Sequence, residues 1–385
     1  AKAVEDTAFY RSAVLLSRND VGFDAERFSA PVEAFHAQCQ QRLQDFPDNL
    51  LATATHDHKR GEDCRARLAV ISERSHWFAQ RVEHWRELAS PLRSALNDGE
   101  APSPGDELLL YQTLLGSWPL TLRGDDGPGL HAYAERLRQW QCKALREAKL
   151  RSSWSAPNEA YEQACAGFID ALLLEPQCQQ LRQSLADAAQ ALACPGALNG
   201  LVQSLLRMTV PGIPDLYQGN EYWDFSLVDP DNRRPVDYER RQHSLASAAP
   251  LPELLANWRD GCIKQALIAR TLQLRADHAE LFRHGTYEPL EVLGSEAHRV
   301  LAFVRTKGQQ RAIVIVPIRC AALLKNSAEP HIEALQWGDT RVRLPFTSPE
   351  ENLKGLFSSA AVTPQRELMV SDALGDFPVN VFIQT

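Results

Sequence analysis

The sequence predicts an α/β fold that joins part of an α/β barrel to a large helical insertion and a C-terminal antiparallel β domain. Three features predict it: an apolar run that ends abruptly in charged residues, a long stretch with helical spacing after that run, and short β-like runs near the C-terminus. A chain of 385 residues is long enough for two or three domains. The parts expected are a late barrel segment over 1–75, a helical insertion over 76–195, the last barrel strand and its helix over 196–284, and the β domain over 285–385.

The first barrel strand is predicted at Leu50–Thr55, a short apolar and Thr-rich run that ends in His56 and Asp57. Before it, apolar residues recur at helical spacing from Pro31 to Phe46. Polar residues directly after a buried strand are typical of α/β barrels, which carry their chemistry at the C-terminal ends of the strands. The end of this run is therefore a candidate functional site.

The helical insertion is predicted from the spacing that dominates between Cys64 and Leu192. Asp106 is expected to cap a helix over Glu107–Leu115, which Gly116 ends. One apolar face of a later helix is predicted by residues at i, i+4, i+7, i+8, i+11 and i+12. These residues are Tyr161, Cys165, Phe168, Ile169, Leu172 and Leu173.

A second barrel strand is predicted at Leu205–Val210, closed by the turn-forming Pro211–Pro214. A helix is then predicted over Gly261–Phe282. The β domain is predicted from short β-like runs at hairpin spacing. These runs are Leu290–Leu293, Arg299–Arg305, Ala312–Pro317, Arg341–Leu344 and Val379–Ile383.

Charge and cysteine usage exclude several function classes. The net charge of −8 argues against a general binder of nucleic acid or anionic membranes, because both need a cationic face. The eight cysteines form no CxxC pair, so we expect free thiols and a cytoplasmic location. No apolar stretch is long enough to span a membrane. The chain opens without an initiator Met, and we interpret it as a fragment that begins within a domain.

The segment with the densest chemistry is Thr53–Arg67, in which acids, bases and imidazoles follow the predicted strand. A carboxylate at that position can accept hydrogen bonds from sugar hydroxyls or stabilise a developing cation. The alternative is a charged first helical turn held by internal salt bridges, and composition alone does not separate the two.

The same segment resembles the fourth sequence region of the α-amylase family as it occurs in maltooligosyl trehalose synthases, where Thr-His-Asp is followed by Lys-Arg. The resemblance implies that Asp57 is the third catalytic carboxylate, which stabilises the transition state. It implies that His56 binds the same sugar and that Lys59 and Arg60 contact the neighbouring glucose. Glu62, Asp63, Arg65 and Arg67 are interpreted as structural.

A second segment, Pro211–Glu221, resembles the end of the last barrel strand in amylase-family enzymes, and its continuation to Asp237 is similar to the trehalose-forming synthases. The resemblance implies further substrate-binding residues, with Trp223 stacking on a pyranose ring: these are Tyr217, Glu221, Trp223, Asp229, Arg233 and Arg234. The alternatives are core packing for the two aromatic residues, and ion pairs with Asp229 and Asp231 for the two arginines.

Two more segments are similar to the same subgroup. Ala1–Arg11 resembles a segment that precedes the Thr-His-Asp region, and the residues from Lys143 to Glu162 resemble part of the helical insertion. The resemblance therefore extends over nearly the whole chain, in order. It implies the C-terminal part of a (β/α)8 amylase-type barrel, with the helical insertion and the antiparallel β domain.

The reaction implied is an intramolecular transglucosylation, which converts the reducing-end α-1,4 link of a maltooligosaccharide into an α,α-1,1 link. Retaining glycoside chemistry needs a nucleophile and a general acid about 5–5.5 Å apart, and no nucleophile motif of the amylase type occurs in the sequence. Both are expected in a missing N-terminal part of the same enzyme, so the chain alone is expected to be incomplete. No metal and no organic cofactor are expected. The alternatives are another amylase-family hydrolase or transferase, and a non-catalytic fragment that binds α-glucans.

Overall fold

The computed structural model describes residues 2–24, 26–247, 249–325, 327–345, 353–358, 361–362 and 366–384. Ala1 and Thr385, at the ends of the first and last predicted parts, lie outside them. The helices are α1 Lys2–Ala8, α2 Val32–Asp45, α3 Glu62–Ala69, α4 Ser75–Ala89, α5 Pro104–Ser117, α6 Gly127–Ala148, α7 Glu159–Leu174, α8 Gln179–Thr209, α9 Tyr238–Ser247, α10 Leu251–Ala256, α11 Cys262–Asp277, α12 Ala279–His284 and α13 Val370–Ala373. The strands are β1 Leu50–Leu51, β2 Ser94–Leu96, β3 Gly99–Ala101, β4 Ile213–Pro214, β5 Thr286–Pro289, β6 Val292–Leu293, β7 Val300–Lys307, β8 Gln310–Pro317, β9 Arg341–Arg343, β10 Leu353–Gly355, β11 Ala361–Val362, β12 Glu367–Met369 and β13 Asn380–Gln384.

The chain divides into two compact units. The first consists of Ala1–Glu26, His56–Gly196 and Asp224–Pro235, and the second of Arg27–Thr55, Ala197–Trp223 and Val236–Thr385. Each unit is assembled from separate stretches of the chain. The division into four parts by residue number stays a prediction.

The first unit is mainly helical, with one short hairpin formed by β2 and β3. The apolar face predicted on α7 is confirmed, because all six of its residues are buried. The Asn158 side chain caps this helix by accepting a hydrogen bond from the backbone N–H of Tyr161 at 3.1 Å. Burial of this face holds α7 in the core of the unit.

The predicted start of α5 was wrong. The helix begins at Pro104, and Ser103 is its cap, since its hydroxyl oxygen accepts a hydrogen bond from the backbone N–H of Asp106. The Asp106 carboxylate instead accepts hydrogen bonds from the Ser103 and Tyr161 hydroxyls, at 2.7 and 2.5 Å. Proline is favourable at the first helical position, where its missing N–H is not needed.

The second unit contains a short parallel strand pair. Leu50 pairs with Ile213, and Leu51 pairs with Pro214. The helix predicted before β1 is confirmed as α2. Only Leu50–Leu51 of the predicted first strand is a strand, and Leu50 is exposed rather than buried.

The predicted strand at Leu205–Val210 was wrong, since α8 continues to Thr209. A short apolar run fits a buried helix as well as a buried strand. The β-branched Thr209 is accommodated because its hydroxyl donates to the Leu205 carbonyl at 2.8 Å. The chain turns at Gly212, and the strand follows as β4. The helix predicted after it is present as α11 and α12.

The C-terminal part of the second unit is antiparallel, as predicted. One sheet has the order β11-β10-β13-β8-β7-β5, and a second has the order β12-β9-β6. In the first sheet, the long strands β7 and β8 are adjacent, Phe303 of β7 pairs with Val314 of β8, and Phe303, Ile313 and Val314 are fully buried. All five β-like runs fall on strands, with β5, β10, β11 and β12 in addition.

All eight cysteines are free thiols, and Cys142 and Cys262 are half-buried while the others are buried. In the part of the chain described, none of the helices combines the length and the apolar character needed to cross a bilayer.

Candidate active site

His56 and Asp57 form a turn that follows β1 in the chain and belongs to the first unit. The His56 side chain is exposed, and Asp57 is half-buried. The side-chain amide of Asn232 donates to the His56 carbonyl oxygen at 3.0 Å, which ties the turn to the 224–235 stretch of the same unit. The turn thus presents an imidazole and a carboxylate on a fixed backbone.

Lys59 and Arg60 point into the protein, with exposed fractions of 3% and 0%. The Lys59 ammonium is paired with the Asp6 carboxylate and lies 5.9 Å from the centre of the Tyr10 ring. The Arg60 guanidinium donates to the Thr113 hydroxyl at 3.4 Å. Burial lowers the pKa of Arg60. These contacts are structural in kind, and the contact of either residue with glucose stays a prediction.

The start of α3 is joined to the stretch at Asp224–Leu227. The backbone N–H of Gly61 donates to the Ser226 carbonyl at 2.8 Å, and the backbone N–H of Asp224 donates to the Asp63 carboxylate at 2.7 Å. A Cβ on Gly61 would lie 2.5 Å from the Asp224 carbonyl oxygen, so only glycine fits this contact.

Further along α3, Arg67 donates to the carbonyls of Leu115 and Trp118 and stacks on Phe225 at 3.9 Å. Arg65 Nε donates to the Arg60 carbonyl oxygen at 3.1 Å. The structural interpretation of the charged residues on this helix therefore fits their contacts.

Asp229, Arg233 and Arg234 form the ion pairs that were the alternative to sugar binding. Arg233 Nε lies 2.6 Å from an Asp229 carboxylate oxygen, and Arg234 Nε lies 3.1 Å from an Asp231 oxygen. Lys143 Nζ lies 3.9 Å from the second Asp229 oxygen and donates to its carbonyl at 2.9 Å. Both arginines remain exposed, so their pairing leaves surface for a ligand, and their role in binding stays a prediction.

Tyr217, Glu221 and Trp223 belong to the second unit, in the stretch after β4. Tyr217 is half-buried. Glu221 is paired with Arg241, whose Nε lies 3.1 Å from the carboxylate. The Trp223 indole N–H donates to the Trp258 carbonyl at 2.7 Å, and the two indole rings meet edge to face at 6.2 Å. Trp223 is thus held by packing, as the alternative foresaw, and its stacking on sugar stays a prediction.

Asp20 and Arg136 help to hold the candidate site in place, and neither was predicted from the sequence. The Asp20 carboxylate accepts hydrogen bonds from the backbone of Lys59 and Arg60. The Asp231 carboxylate accepts a bidentate pair from Arg136 at 3.0 and 2.9 Å. In sequence, these partners are 39 to 95 residues apart. No local spacing rule connects such pairs, so the pattern could not predict them.

Comparison with known proteins gives a consistent result. No protein-family model matches the chain. A putative maltooligosyl trehalose synthase from Mycobacterium tuberculosis is 35% identical over 390 residues, which cover 100% of this chain and 44% of that protein. The structure of the maltooligosyltrehalose synthase from Arthrobacter ramosus superposes with a TM-score of 0.76 at 30% identity, covering 99% of this chain and 44% of that one. A hypothetical maltooligosyl trehalose synthase from Sulfolobus tokodaii gives 0.72 at 26% identity, with 100% and 45% covered.

The chain is a relative of the maltooligosyl trehalose synthases. It matches the C-terminal part of these synthases and spans about 44% of the length of the relatives. The resemblance drawn from the Thr-His-Asp segment is thereby confirmed over the whole chain.

Proposed function

We propose that this chain is the C-terminal part of a maltooligosyl trehalose synthase, an isomerase that converts the reducing-end α-1,4 link of maltooligosaccharides into an α,α-1,1 link. The observation that carries the proposal is the match of the whole chain to these synthases, with the Thr-His-Asp segment in a fixed and solvent-accessible turn. The barrel belongs to the same proposal. It is supported by the parallel pairing of β1 with β4, since adjacent strands of a (β/α)8 barrel are parallel.

In the proposed reaction, Asp57 and His56 hold the glucosyl unit at the scissile bond. A carboxylate that accepts two hydroxyl hydrogen bonds fixes the ring and stabilises positive charge as it develops at the anomeric carbon. The nucleophile and the general acid are proposed to lie in a part of the synthase that this chain does not include. The nucleophile takes the glucan as a covalent intermediate, and the released glucose attacks it through its own anomeric hydroxyl.

Water has to be kept from the covalent intermediate, because hydrolysis would otherwise compete with transfer. We also propose that Tyr217, Glu221, Asp229, Arg233 and Arg234 bind sugar, and that Trp223 stacks on a pyranose ring. Lys59 and Arg60 are proposed to contact the neighbouring glucose.

Binding of maltopentaose to the isolated chain, measured by calorimetry, tests the sugar site. We expect millimolar affinity that falls about tenfold or more in Asp57→Asn, since a hydrogen bond to a charged group contributes roughly 1.5–3 kcal/mol. Asp125→Asn is the matched control, because that carboxylate lies on an exposed loop and pairs with the exposed Arg123. Absence of heat at millimolar maltopentaose would contradict the sugar site.

A chimera tests the reaction. This chain would replace the matched part of the Arthrobacter ramosus enzyme, and NMR would follow the anomeric signals of the product from maltopentaose. We expect loss of reducing ends with a new α,α-1,1 signal, and a decrease in kcat/KM of about 10²–10³-fold in Asp57→Asn. A rise in reducing ends would indicate a hydrolase instead. Turnover by the isolated chain would show that it carries its own nucleophile.

A further inference from the structure

Asp20 lies 36 residues before His56 in the sequence and outside the predicted site, yet its side chain contacts the residues that follow Asp57. It is 2% exposed and follows the short 3-10 turn Leu16–Arg18. Its two carboxylate oxygens accept hydrogen bonds from the backbone N–H of Lys59, at 3.1 and 3.2 Å, and one accepts from the backbone N–H of Arg60 at 3.2 Å. The Arg65 guanidinium Nε lies 3.3 Å from the same carboxylate.

These bonds matter because Lys59 lies in an irregular stretch and Arg60 in an isolated bridge with Leu227, between the His56–Asp57 turn and α3. Buried backbone N–H groups need an acceptor, and helices or sheets usually supply it. Here a side chain supplies it, and a carboxylate makes stronger bonds to N–H groups than a neutral acceptor does. The backbone N–H groups of Lys59 and Arg60 therefore depend on one carboxylate.

Asp20 is itself held in place by its neighbour. The Asn19 side-chain amide donates to the carbonyl oxygens of Phe9 and Ser12, at 3.1 and 2.7 Å. Asn19 is 6% exposed, so this anchor lies inside the unit as well. On the other side of the turn, Asn232 donates to the His56 carbonyl. The turn is thus fixed at both ends by buried polar side chains that are distant in sequence.

We propose that Asp20 is a positioning residue for Asp57 and His56, acting through the backbone of Lys59 and Arg60. The inference rests on the proposed role of Asp57 in sugar binding. Orientation of a binding group to within a fraction of an ångström strongly affects its contribution, so loss of the Asp20 contacts weakens sugar binding without removing any group that touches sugar.

The test is Asp20→Asn in the full 385-residue chain. Asparagine keeps the size of the side chain but loses the charge, and its amide group cannot accept the bonds that the second oxygen makes. We expect maltopentaose affinity to fall about tenfold and amide hydrogen exchange at Lys59 and Arg60 to accelerate by a similar factor. Asp20→Glu keeps the charge but adds one methylene. Its affinity for maltopentaose is therefore expected to lie between those of the unmodified chain and Asp20→Asn.

Glu107→Gln is the matched control. Glu107 is a buried carboxylate of the same unit, bound by Arg93 at 3.1 and 3.2 Å and by the Tyr111 hydroxyl at 2.6 Å, and neither partner belongs to the turn. It is expected to lower the free energy of unfolding while leaving the affinity for maltopentaose unchanged. An equal loss of affinity in the control would overturn the inference, because general destabilisation would then explain the effect.

The outcomes separate the two proposals. No binding by the unmodified chain overturns the proposed sugar site and this inference with it. Binding by the unmodified chain, with affinity within twofold in Asp20→Asn, overturns the positioning role alone. If Asp20→Asn does not fold, Asp20→Glu carries the test, and unchanged affinity despite faster exchange at Lys59 and Arg60 overturns the inference.

Discussion

At the scale of single residues, the first unit holds buried and half-buried carboxylates in multiple hydrogen bonds. Glu107 is bound by a guanidinium and a phenol, Asp20 by two backbone amides and a guanidinium, and Asp231 by the Arg136 guanidinium and the backbone of Leu227. A buried ion left without its partner is strongly destabilising, so each carboxylate constrains the residues that meet it. The candidate site gains a rigid support in this way.

Asp231 makes the pH dependence of this support testable. Burial raises the pKa of Asp231, but the hydrogen bonds and charge of Arg136, the charge of Arg234 and the Leu227 N–H together outweigh burial and hold the pKa below its ordinary value of 3.8. A carboxyl group with a lower pKa in the folded state stabilises the protein above its unfolded pKa, and this contribution is lost as the pH falls through the folded pKa. We expect Asp231→Asn to lower the free energy of unfolding at pH 7 by about 3 kcal/mol. Below about pH 4, the free energy of unfolding should fall less steeply with pH in this variant than in the unmodified chain.

Urea unfolding at pH 7 and through the acid range measures both effects. Asp125→Asn is the control, since an exposed pair with Arg123 contributes little to stability. A decrease below pH 4 that is as steep in Asp231→Asn as in the unmodified chain would contradict the prediction.

Residue types near the site were predictable from sequence, whereas their partners were not. Dense charge after an apolar run identified His56 and Asp57, and the pairing of Arg234 with Asp231 was foreseen because it is local. Asp20 and Arg136 carry no such signal, because an isolated acid or base looks like any surface residue until the fold brings it to its partner.

At the scale of secondary structure elements, helices with a clear apolar period were predictable and short buried segments were not. The spacing in α2 and α7 identified both helices. The run at Leu205–Val210 fits a buried helix as well as a buried strand, so only the tertiary structure decides that it belongs to α8. Five strands of the C-terminal sheets were predicted, because apolar and β-branched residues in short runs separated by turn residues are typical of strands, whereas β5, β10, β11 and β12 were not.

Gly212 decides where β4 begins. Its φ is +128°, and a Cβ there would lie 2.7 Å from Leu51 Cγ. Gly212→Ala is therefore expected to lower the free energy of unfolding by about 2–3 kcal/mol. Amide exchange at Ile213 and Asp215, whose N–H groups donate to the Asn49 and Leu51 carbonyls, should accelerate.

Gly167→Ala is the matched control for this change. Gly167 lies inside α7, and an added Cβ would meet nothing within 4 Å. Alanine is the better helix former by about 1 kcal/mol, so this variant is expected to gain stability. An equal change in the free energy of unfolding in the two variants would show that the backbone conformation of Gly212 does not cause the loss of stability.

At the scale of the whole molecule, two units are each assembled from three stretches of the chain. In the second unit, the fully buried Arg305 bonds the backbone of several elements. It donates to the carbonyl of Thr209 at 3.2 Å, to those of Phe282 and Gly285 at 3.0 Å, and to that of Thr286 at 2.8 Å. The first three carbonyls lie at the C-terminal ends of α8 and α12, where a cation is favourable.

Arg305→Lys is expected to lower the free energy of unfolding by about 2–4 kcal/mol. One ammonium group cannot reach four carbonyls that a planar guanidinium serves at once, so buried acceptors lose their donors. Arg343→Lys is the control, because Arg343 is half exposed and pairs with Glu291 at the surface. Urea unfolding distinguishes them, and similar stability of the two variants would contradict the prediction.

The interrupted course of the first unit has a consequence for synthesis on the ribosome. Asp231 follows its partner Arg136 by 95 residues. At about 5–20 residues per second, Arg136 is made roughly 5–20 s before the carboxylate that neutralises it. During that interval the helices of the first unit can form, but the stretch from Asp224 to Pro235 that fixes the His56 turn does not yet exist. The His56–Asp57 turn is therefore among the last parts of this unit to take shape.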